Sequence, residues 1–588
     1  MFASNKGWSP MMSKKALLAL VFPLSFSSAF ARVQVIPKPE LDLKAMSQNK
    51  SHYVLKNAKG TLLETSFLSL APENWFNLSP VDGAEGVRTE ETYVAFGMPQ
   101  SEDVVVAVID SGVDVNHEDL QGKIWINGDE VANNGLDDDG NGYIDDVFGW
   151  NFIGGSNGMA KIEEDEMLPN KIRLVKGSPE AQVDADTLEV TRELVRMKKL
   201  KAQVEDLGET LSSSQASYLA KLTKLVGENI DNAKKVVESY EKRLVTYKSA
   251  EKVLKEAGLN EISLDSVRSL ETSNPEILKA KNDMLSLLTN GIDLNRINRV
   301  LGYYGDQLKY LYNENFNPRK IVGDNYSNQN EKIYGNNDVI GPDSSHGTHV
   351  AGIIAAARDN DLGIKGVATN VKIMAIRVVP NGDERDKDVA NGIRYAVDNG
   401  AKIINMSFGK AYSPFKKVVD EAVKYAESKG VLLVHAAGNS NQNNDTEANF
   451  PNRYAKADQS EFNNWLEIGA SGFEKGLNLP ADFSNYGKKS VDLFAPGVDI
   501  LSTTPDNTYD TYSGTSMASP AAAGVAALVM SYEKNLTASD LRSLLLDTSR
   551  RYPKLMVNLP GTETPVLFSS LSRTGTIIDV FEAIKATK

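Results

Sequence analysis

The 588-residue chain contains no cysteine. Disulfide bonds, thiol nucleophiles and cysteine-ligated zinc sites are therefore excluded. Histidine is scarce, with five residues in the whole chain, and the HExxH pattern of many zinc peptidases is absent. The formal net charge of −14 argues against a nucleic-acid partner, because such proteins usually carry a basic face. These absences leave chemistry based on oxygen and nitrogen side chains.

Long apolar runs are nearly absent as well, and the one near the N terminus is too short to span a bilayer comfortably. Lys14 and Lys15 precede it, and it ends in Ala-Phe-Ala at residues 29–31. This arrangement predicts a signal peptide over residues 1–31, with a buried N-terminal helix as the alternative. No cysteine follows that would carry a lipid. We therefore expect an exported protein, secreted or periplasmic, without a stable membrane anchor.

Four continuous apolar runs indicate strands that are buried on both faces, as in parallel sheets. They lie at residues 104–109, 373–379, 401–406 and 431–437. Segments with helical patterns separate them, for example residues 387–399. Alternating strands and helices predict an α/β fold with a mostly parallel sheet. Catalytic side chains are expected at the carboxyl ends of these strands.

The middle of the chain differs from this pattern. It is rich in Lys, Glu, Leu, Ser and Asn, and apolar residues recur at three- and four-residue spacing from Leu200 to Tyr247. Such stripes predict a helical, coiled-coil-like insertion whose apolar faces pack on each other, with partner or exosite binding by its exposed faces as the alternative. The predicted organisation is a signal peptide (1–31), an N-terminal extension or short pro-segment (32–75), an α/β domain in two parts (76–152 and 326–588) and the insertion between them (153–325).

Three short segments carry Asp110, His346 and Ser516, in this order. A carboxylate orients a histidine and stabilises its imidazolium, and the histidine takes a proton from a serine hydroxyl. Chymotrypsin-like enzymes and α/β-hydrolases have other chain orders, and no GxSxG motif surrounds Ser516. The order and the residue types together predict a catalytic triad.

The sequences around these residues, IDSG, HGTHVAG and GTSMASP, resemble the three signature segments of the subtilisin-like serine proteases (subtilases, peptidase S8). The resemblance covers roughly residues 76–152 and 326–588. It implies the three-layer subtilisin-like fold, the triad, and hydrolysis of polypeptide substrates. It also implies that the Asn439 side-chain amide and the Ser516 backbone N–H stabilise the oxyanion of the tetrahedral intermediate.

The resemblance further implies where substrate binds. Ser407, Phe408 and Gly409 match the family segment that pairs with the substrate backbone as an added strand, an arrangement that gives broad specificity. The charged residues 382–388 occupy the place of the opposite edge. We expect them to form a solvated loop, or alternatively to favour basic residues at the outer subsites.

An acidic loop predicts a structural Ca²⁺ site. Asp137, Asp139, Asn141 and Asp145 have the spacing of the first part of an EF-hand loop, but the Glu at position twelve is missing. Further ligands are therefore expected from elsewhere, and a solvated acidic turn is the alternative. Asp119 matches a calcium ligand of the family in a separate place.

We expect no catalytic role for the remaining histidines. His349 is predicted to be buried and structural, and His435 to line the specificity pocket. His117 and His52 are expected at the surface. The competing functions are a non-catalytic binding protein, in which the insertion holds a partner, and another serine hydrolase such as an esterase.

Overall fold

The computed structural model describes residues 71–164 and 172–588, and the backbone of residues 55–56 and 62–63. The predicted signal peptide and His52 lie outside the described residues, as does most of the predicted pro-segment. Within the described part of the chain, no helix is long and apolar enough to cross a membrane.

The strands have the following bounds: β1 Leu55–Lys56, β2 Leu62–Leu63, β3 Val104–Asp110, β4 Gly149–Asn151, β5 Lys161–Glu164, β6 Ile172–Val175, β7 Val371–Arg377, β8 Ile403–Met406, β9 Leu432–Ala436, β10 Trp465–Ser471, β11 Leu493–Pro496, β12 Ile500–Thr504, β13 Thr508–Tyr512, β14 Arg550–Arg551, β15 Met556–Asn558, β16 Pro565–Leu567 and β17 Thr576–Ile577. The α-helices are α1 Thr89–Phe96, α2 Glu189–Asp206, α3 Ser213–Glu256, α4 Leu264–Ser269, α5 Pro275–Thr289, α6 Leu294–Asp306, α7 Arg319–Val322, α8 Ser345–Ala355, α9 Asp386–Asp398, α10 Lys416–Ser428, α11 Thr515–Tyr532, α12 Ala538–Thr548 and α13 Val580–Thr587.

A nine-stranded sheet, in the order β14-β17-β11-β10-β9-β8-β3-β7-β4, forms the middle layer. Its strand pairs are parallel except for β14 with β17. The sequence of β3 shows why both faces are covered, because its alternate side chains enter different cores. Val106 and Val108 pack with α8 and α11, whereas Ala107 and Ile109 pack with α9 and α10. The predicted three-layer, mostly parallel α/β fold is confirmed.

The middle of the chain contains the long helix α3, whose 44 residues extend over roughly 65 Å. Ser212 caps it through a reciprocal pair with Gln215. Helices α5 and α6 pack along the distal part of α3, and α2 packs near its start. The predicted helical content is confirmed, but the helices begin only at α2, since β5 and β6 form an antiparallel hairpin before it.

The charged segment 382–388, expected as a solvated loop, is buried instead. Most of its charged side chains are paired with residues that are distant in the sequence. Arg385 Nε lies 2.6 Å from Asp186, and Arg319 Nη1 lies 2.6 Å from Asp388. The expectation was wrong because the partners come from segments about 60 to 200 positions away in the chain, which sequence spacing does not reveal.

Glu384 is the least satisfied member of this buried cluster. Its side chain is fully buried, and neither carboxylate oxygen accepts a hydrogen bond from the described residues. Burial raises the pKa of Glu384 to about 8, and although Lys410 opposes this, Asp383 adds to it. A carboxyl group whose pKa is raised by folding stabilises the folded state below its unfolded pKa, and this contribution is lost as the pH rises through the folded pKa.

We therefore predict that Glu384→Gln weakens the pH dependence of stability. Between about pH 5 and about pH 8 the parent protein should lose up to about 1.4 kcal/mol per pH unit through this carboxyl group. Thermal melts in a Ser516→Ala background measure this loss without the predicted nucleophile. Glu238→Gln, at an exposed site on α3, is the control and should keep the parental slope. If the stability of Glu384→Gln changes with pH as steeply as that of the parent protein, the raised pKa of Glu384 is contradicted.

Candidate active site

Three parallel strands bring the predicted site residues to one edge of the sheet. Ile109 of β3 lies beside Met406 of β8, which lies beside His435 of β9. Asp110, which ends β3, and Ser407, which follows β8, therefore lie at the same edge of the sheet. Asn439 follows β9 after a short loop. The carboxyl edge of the sheet is where the α/β fold places ligands and chemistry.

His346 lies at the start of α8 and faces the end of β3. Its Nδ1 is 2.7 Å from Asp110 Oδ1, and the Asp110 side chain is 1% exposed. This approach depends on Gly347, because a Cβ there would lie 2.1 Å from the carbonyl oxygen of Gly112. The glycine of the HGTH motif thus allows α8 to approach β3 closely enough for the His346–Asp110 contact.

The pKa of His346 reflects two opposed effects. Burial lowers it, but the negative charge of Asp110 and the hydrogen bond to that carboxylate outweigh burial, so the pKa of His346 is raised. The pair is therefore suited to stabilising an imidazolium. His349 lacks such a carboxylate, and burial lowers its pKa to about 3.

Ser516 lies in the first turn of α11, at the positive end of the helix dipole. Its Oγ donates to the carbonyl oxygen of Ser407 at 3.0 Å, and the Ser407 Oγ donates to the Ser516 carbonyl oxygen at 2.9 Å. Ser516 and His346 are both partly exposed. The site thus combines a solvent-accessible serine and histidine with a buried carboxylate.

The two predicted oxyanion donors point to a common location. Asn439 Oδ1 accepts from the Thr515 backbone N at 2.8 Å and from Thr515 Oγ1 at 2.9 Å, which fixes the amide. A Cβ added to Gly514 would lie 3.5 Å from Asn439 Nδ2 and 3.5 Å from Ser516 N. Both donors therefore border the space beside Gly514, which the absence of a side chain leaves open.

The histidine predictions have mixed outcomes. His349 is buried, as expected, and its Nε2 lies 3.0 Å from the Ile500 carbonyl oxygen. His117 is also fully buried, with Nδ1 accepting from the Asp119 backbone N, so its expected surface position was wrong. His435 is fully buried too, and its Nδ1 lies 3.1 Å from Glu467. Its place in the specificity pocket stays a prediction.

The predicted substrate segment leaves the sheet beside Ser516. Ser407 is 3% exposed and Phe408 is 5% exposed, and the Phe408 ring packs edge-on against His435 with centroids 6.4 Å apart. Gly409 is more exposed than either neighbour. This places the Phe408 side chain in the floor below the segment.

The acidic loop brings carboxylates together. Oxygen atoms of Glu130, Asp137 and Asp139 lie within 4.8 Å of one another. Glu130 was missed in the sequence because it precedes the EF-hand-like spacing, although further ligands from elsewhere were expected. Burial and nearby negative charge raise the pKa of Glu130 against the effect of its backbone hydrogen bonds. A hard divalent cation suits such an oxygen cluster.

The other predicted ligands have different partners. Asp145 accepts from the backbone N of Asn134 and of Gly135, and the Asn141 amide donates to Asp139 at 2.9 Å. Asp119 lies away from the loop and accepts from Asn360 through one carboxylate oxygen, and from Ile364 N and Tyr509 through the other. The role of Asp119 as a calcium ligand in this separate place stays a prediction.

Comparison with known proteins shows what the chain is similar to. Residues 101–565 match the model of the subtilase family of peptidases. The thermophilic serine proteinase of Bacillus sp. strain AK1 is 42% identical over 193 residues, which cover 33% of this chain and 44% of that protein. Thermitase of Thermoactinomyces vulgaris is 39% identical over 235 residues, which cover 39% of this chain and 77% of thermitase.

A solved structure described as proteases from Pseudoalteromonas arctica matches with 20% identity and a TM-score of 0.43, covering 88% of this chain and 97% of that one. The chain spans less than half the length of the Bacillus sp. strain AK1 enzyme. The family match includes Asp110, His346, Asn439 and Ser516. Because the family model spans most of the described residues, the protein belongs to the subtilase family.

Proposed function

We propose that the protein is a serine endopeptidase that transfers the acyl group of a peptide bond to Ser516 and then hydrolyses the acyl-enzyme. The short His346–Asp110 contact is the observation that carries this proposal. The convergence of Asn439 Nδ2 and Ser516 N beside Gly514 supports it. The family to which the chain belongs agrees with this chemistry.

In the proposed mechanism, His346 Nε2 takes the proton of Ser516 Oγ as this oxygen forms a bond to the substrate carbonyl carbon. The Asp110 carboxylate holds the ring through Nδ1 and stabilises the imidazolium, consistent with the raised pKa of His346. The carbonyl oxygen becomes an oxyanion that accepts from Asn439 Nδ2 and Ser516 N.

The imidazolium then gives its proton to the leaving amine as the C–N bond breaks. In the second half, His346 takes a proton from water, whose oxygen attacks the acyl carbon, and Ser516 recovers its proton as the ester bond breaks. The backbone along Ser407–Gly409 offers a strand edge for the substrate, which favours peptides over the simple esters of the alternative hydrolase function.

We also propose export by the signal segment 1–31, and a protease domain made of residues 76–152 and 326–588 with the coiled-coil-like insertion 153–325 between its parts. The composition of the first segment supports export. The packing of α2, α3, α5 and α6 in cores separate from those of the sheet supports the division. Partner binding by the distal insertion remains an alternative role.

We propose a structural Ca²⁺ site at the acidic loop. Glu130, Asp137 and Asp139 would hold the ion, and the ion would neutralise their mutual repulsion. Asn141 and Asp145 would order the surrounding loop through the hydrogen bonds described above.

The triad predicts a large effect of single substitutions. Ser516→Ala should reduce casein hydrolysis by about 10⁶-fold, since the nucleophile is lost. Asn439→Ala should reduce kcat by about 10²- to 10³-fold, with a smaller change in KM, because the oxyanion forms only after attack. Ser214→Ala, at an exposed position on α3, is the control and should retain parental activity.

Unchanged activity in Ser516→Ala would overturn the proposed nucleophile. A folded parent protein that cleaves no polypeptide, but cleaves simple esters, would favour the esterase alternative. A folded parent that cleaves neither would favour the non-catalytic binding protein.

The calcium site predicts metal-dependent stability. In a Ser516→Ala background, Ca²⁺ at about 100 times its dissociation constant should stabilise the fold by about 2.7 kcal/mol relative to chelator. Adding Glu130→Gln or Asp139→Asn should remove most of this difference in thermal melts, because each removes a charged ligand. Asp231→Asn, on an exposed face of α3, should keep it. Identical melting temperatures with calcium and with chelator would contradict the proposed Ca²⁺ site and favour a solvated acidic turn.

A further inference from the structure

The groove edge opposite Ser407–Gly409 is already paired with the chain that leads into α2. Asn381 N donates to the Asp184 carbonyl oxygen at 2.8 Å, and Asp186 N donates to the Asn381 carbonyl oxygen at 3.1 Å. Ala185 and Asn381 thus form a parallel bridge. An added strand uses these same backbone groups, so a substrate cannot pair with Asn381 here.

Two further carbonyl oxygens along this edge, those of Asp383 and Glu384, are also occupied. Arg192 Nη2 donates to the Asp383 carbonyl oxygen at 3.1 Å and reaches the Glu384 carbonyl oxygen at 3.4 Å. Arg192 lies in the first turn of α2 and is 8% exposed. A side chain of the middle region therefore fills acceptor sites that an open groove offers to peptide N–H groups.

A second cation crosses the groove from the other edge. Lys410 directly follows Gly409, and its Nζ donates to the Glu384 carbonyl oxygen at 2.7 Å. Lys410 is 2% exposed and lies 2.8 Å from the Asp386 carboxylate. The two edges are therefore joined by a buried bridge on the side of Gly409 that leads away from Ser407.

Charge holds this closure in place. Glu189, at the start of α2, lies 2.5 Å from Arg192, 2.6 Å from Arg196 and 3.9 Å from Lys410. Although burial opposes it, the surrounding positive charge lowers the pKa of Glu189 to about 2. Separating α2 from the groove would leave several of these charges buried and unpaired, which is strongly destabilising. The bridge is thus a fixed wall rather than a mobile lid.

We propose that residues 184–192, which lead into α2 and form its first turn, close the acyl side of the substrate groove, so that the enzyme recognises only the substrate residues nearest the scissile bond on that side. This inference rests on the proposed endopeptidase function. In an open groove, each further residue adds main-chain hydrogen bonds, and this remote binding energy raises kcat/KM. With the wall present, longer acyl chains add nothing.

The test is a series of N-acetylated peptide p-nitroanilides that differ only in acyl length, from one residue to about five alanine or phenylalanine residues. For the full-length parent protein, kcat/KM should level off after the shortest members and change less than about twofold thereafter. A steady increase to about tenfold or more at the longest peptide would overturn the closed groove.

Opening the wall should restore the length dependence. Arg192→Leu keeps the bulk of the side chain but removes the guanidinium that donates to the Asp383 and Glu384 carbonyl oxygens. It should increase the ratio of kcat/KM between the longest and shortest peptides by about tenfold. Arg268→Leu, an exposed arginine on α4, is the matched control and should leave the ratio at the parental value. An unchanged ratio in a folded Arg192→Leu protein would contradict the role of α2. If Arg192→Leu does not fold, the parental series alone decides.

Failure of this inference is distinguishable from failure of the proposed function. If hydrolysis by the parent protein increases steadily with peptide length and is absent in Ser516→Ala, the proposed endopeptidase function is supported and the closed groove is contradicted. Absence of hydrolysis for every peptide, with Ser516→Ala equal to the parent, overturns both.

Discussion

The parallel pairing of β3 with β8, and of β8 with β9, is the constraint on which the rest of the site depends. In-register parallel strands end at the same edge, so the residues that follow them are brought together whatever their separation in sequence. Asp110, Ser407 and Asn439 come from segments about 30 to 300 positions apart, yet each lies at or just after the end of one of these strands. A shift of one residue in β3 would turn Asp110 to the opposite face and remove the contact with His346.

The sheet edge alone does not complete the site, because His346 and Ser516 come from helices that must approach it closely. Two glycines contribute to the site in different ways. At Gly347 a Cβ would collide with the Gly112 carbonyl oxygen, and at Gly514 it would occupy the space that the two oxyanion donors border. The glycine of HGTH is therefore a steric requirement of the site, and the glycine of SGTS keeps the space beside the two donors open.

The sequence was sufficient to predict those parts of the molecule whose partners are coded locally or by a repeated pattern. The apolar run of β3 predicted a strand buried on both faces, and the stripes from Leu200 onwards predicted helices. It was insufficient where distant charges meet. Segment 382–388 reads as a solvated loop because acidic and basic residues are usually exposed, and burial follows only from pairing with Asp186 and Arg319. Glu130 was missed for the same reason, since its proximity to Asp137 depends on how the loop folds back.

The buried ion pairs in the first turn of α2 raise the question of why charged residues form this interface. Apolar residues would form it with a smaller desolvation penalty. Apolar packing tolerates small shifts in position, whereas paired charges in a dry interior lose energy rapidly when they are displaced. Arg192 and Lys410 both donate to backbone carbonyl oxygens of segment 382–384, so they fix the position of α2 relative to the backbone and not only to side chains. Arg319 and Asp388 make a second attachment on the other side of the start of α9. The helical region is thus fixed to both sides of the segment that borders the groove, and the same contacts that attach it also set the length of the groove.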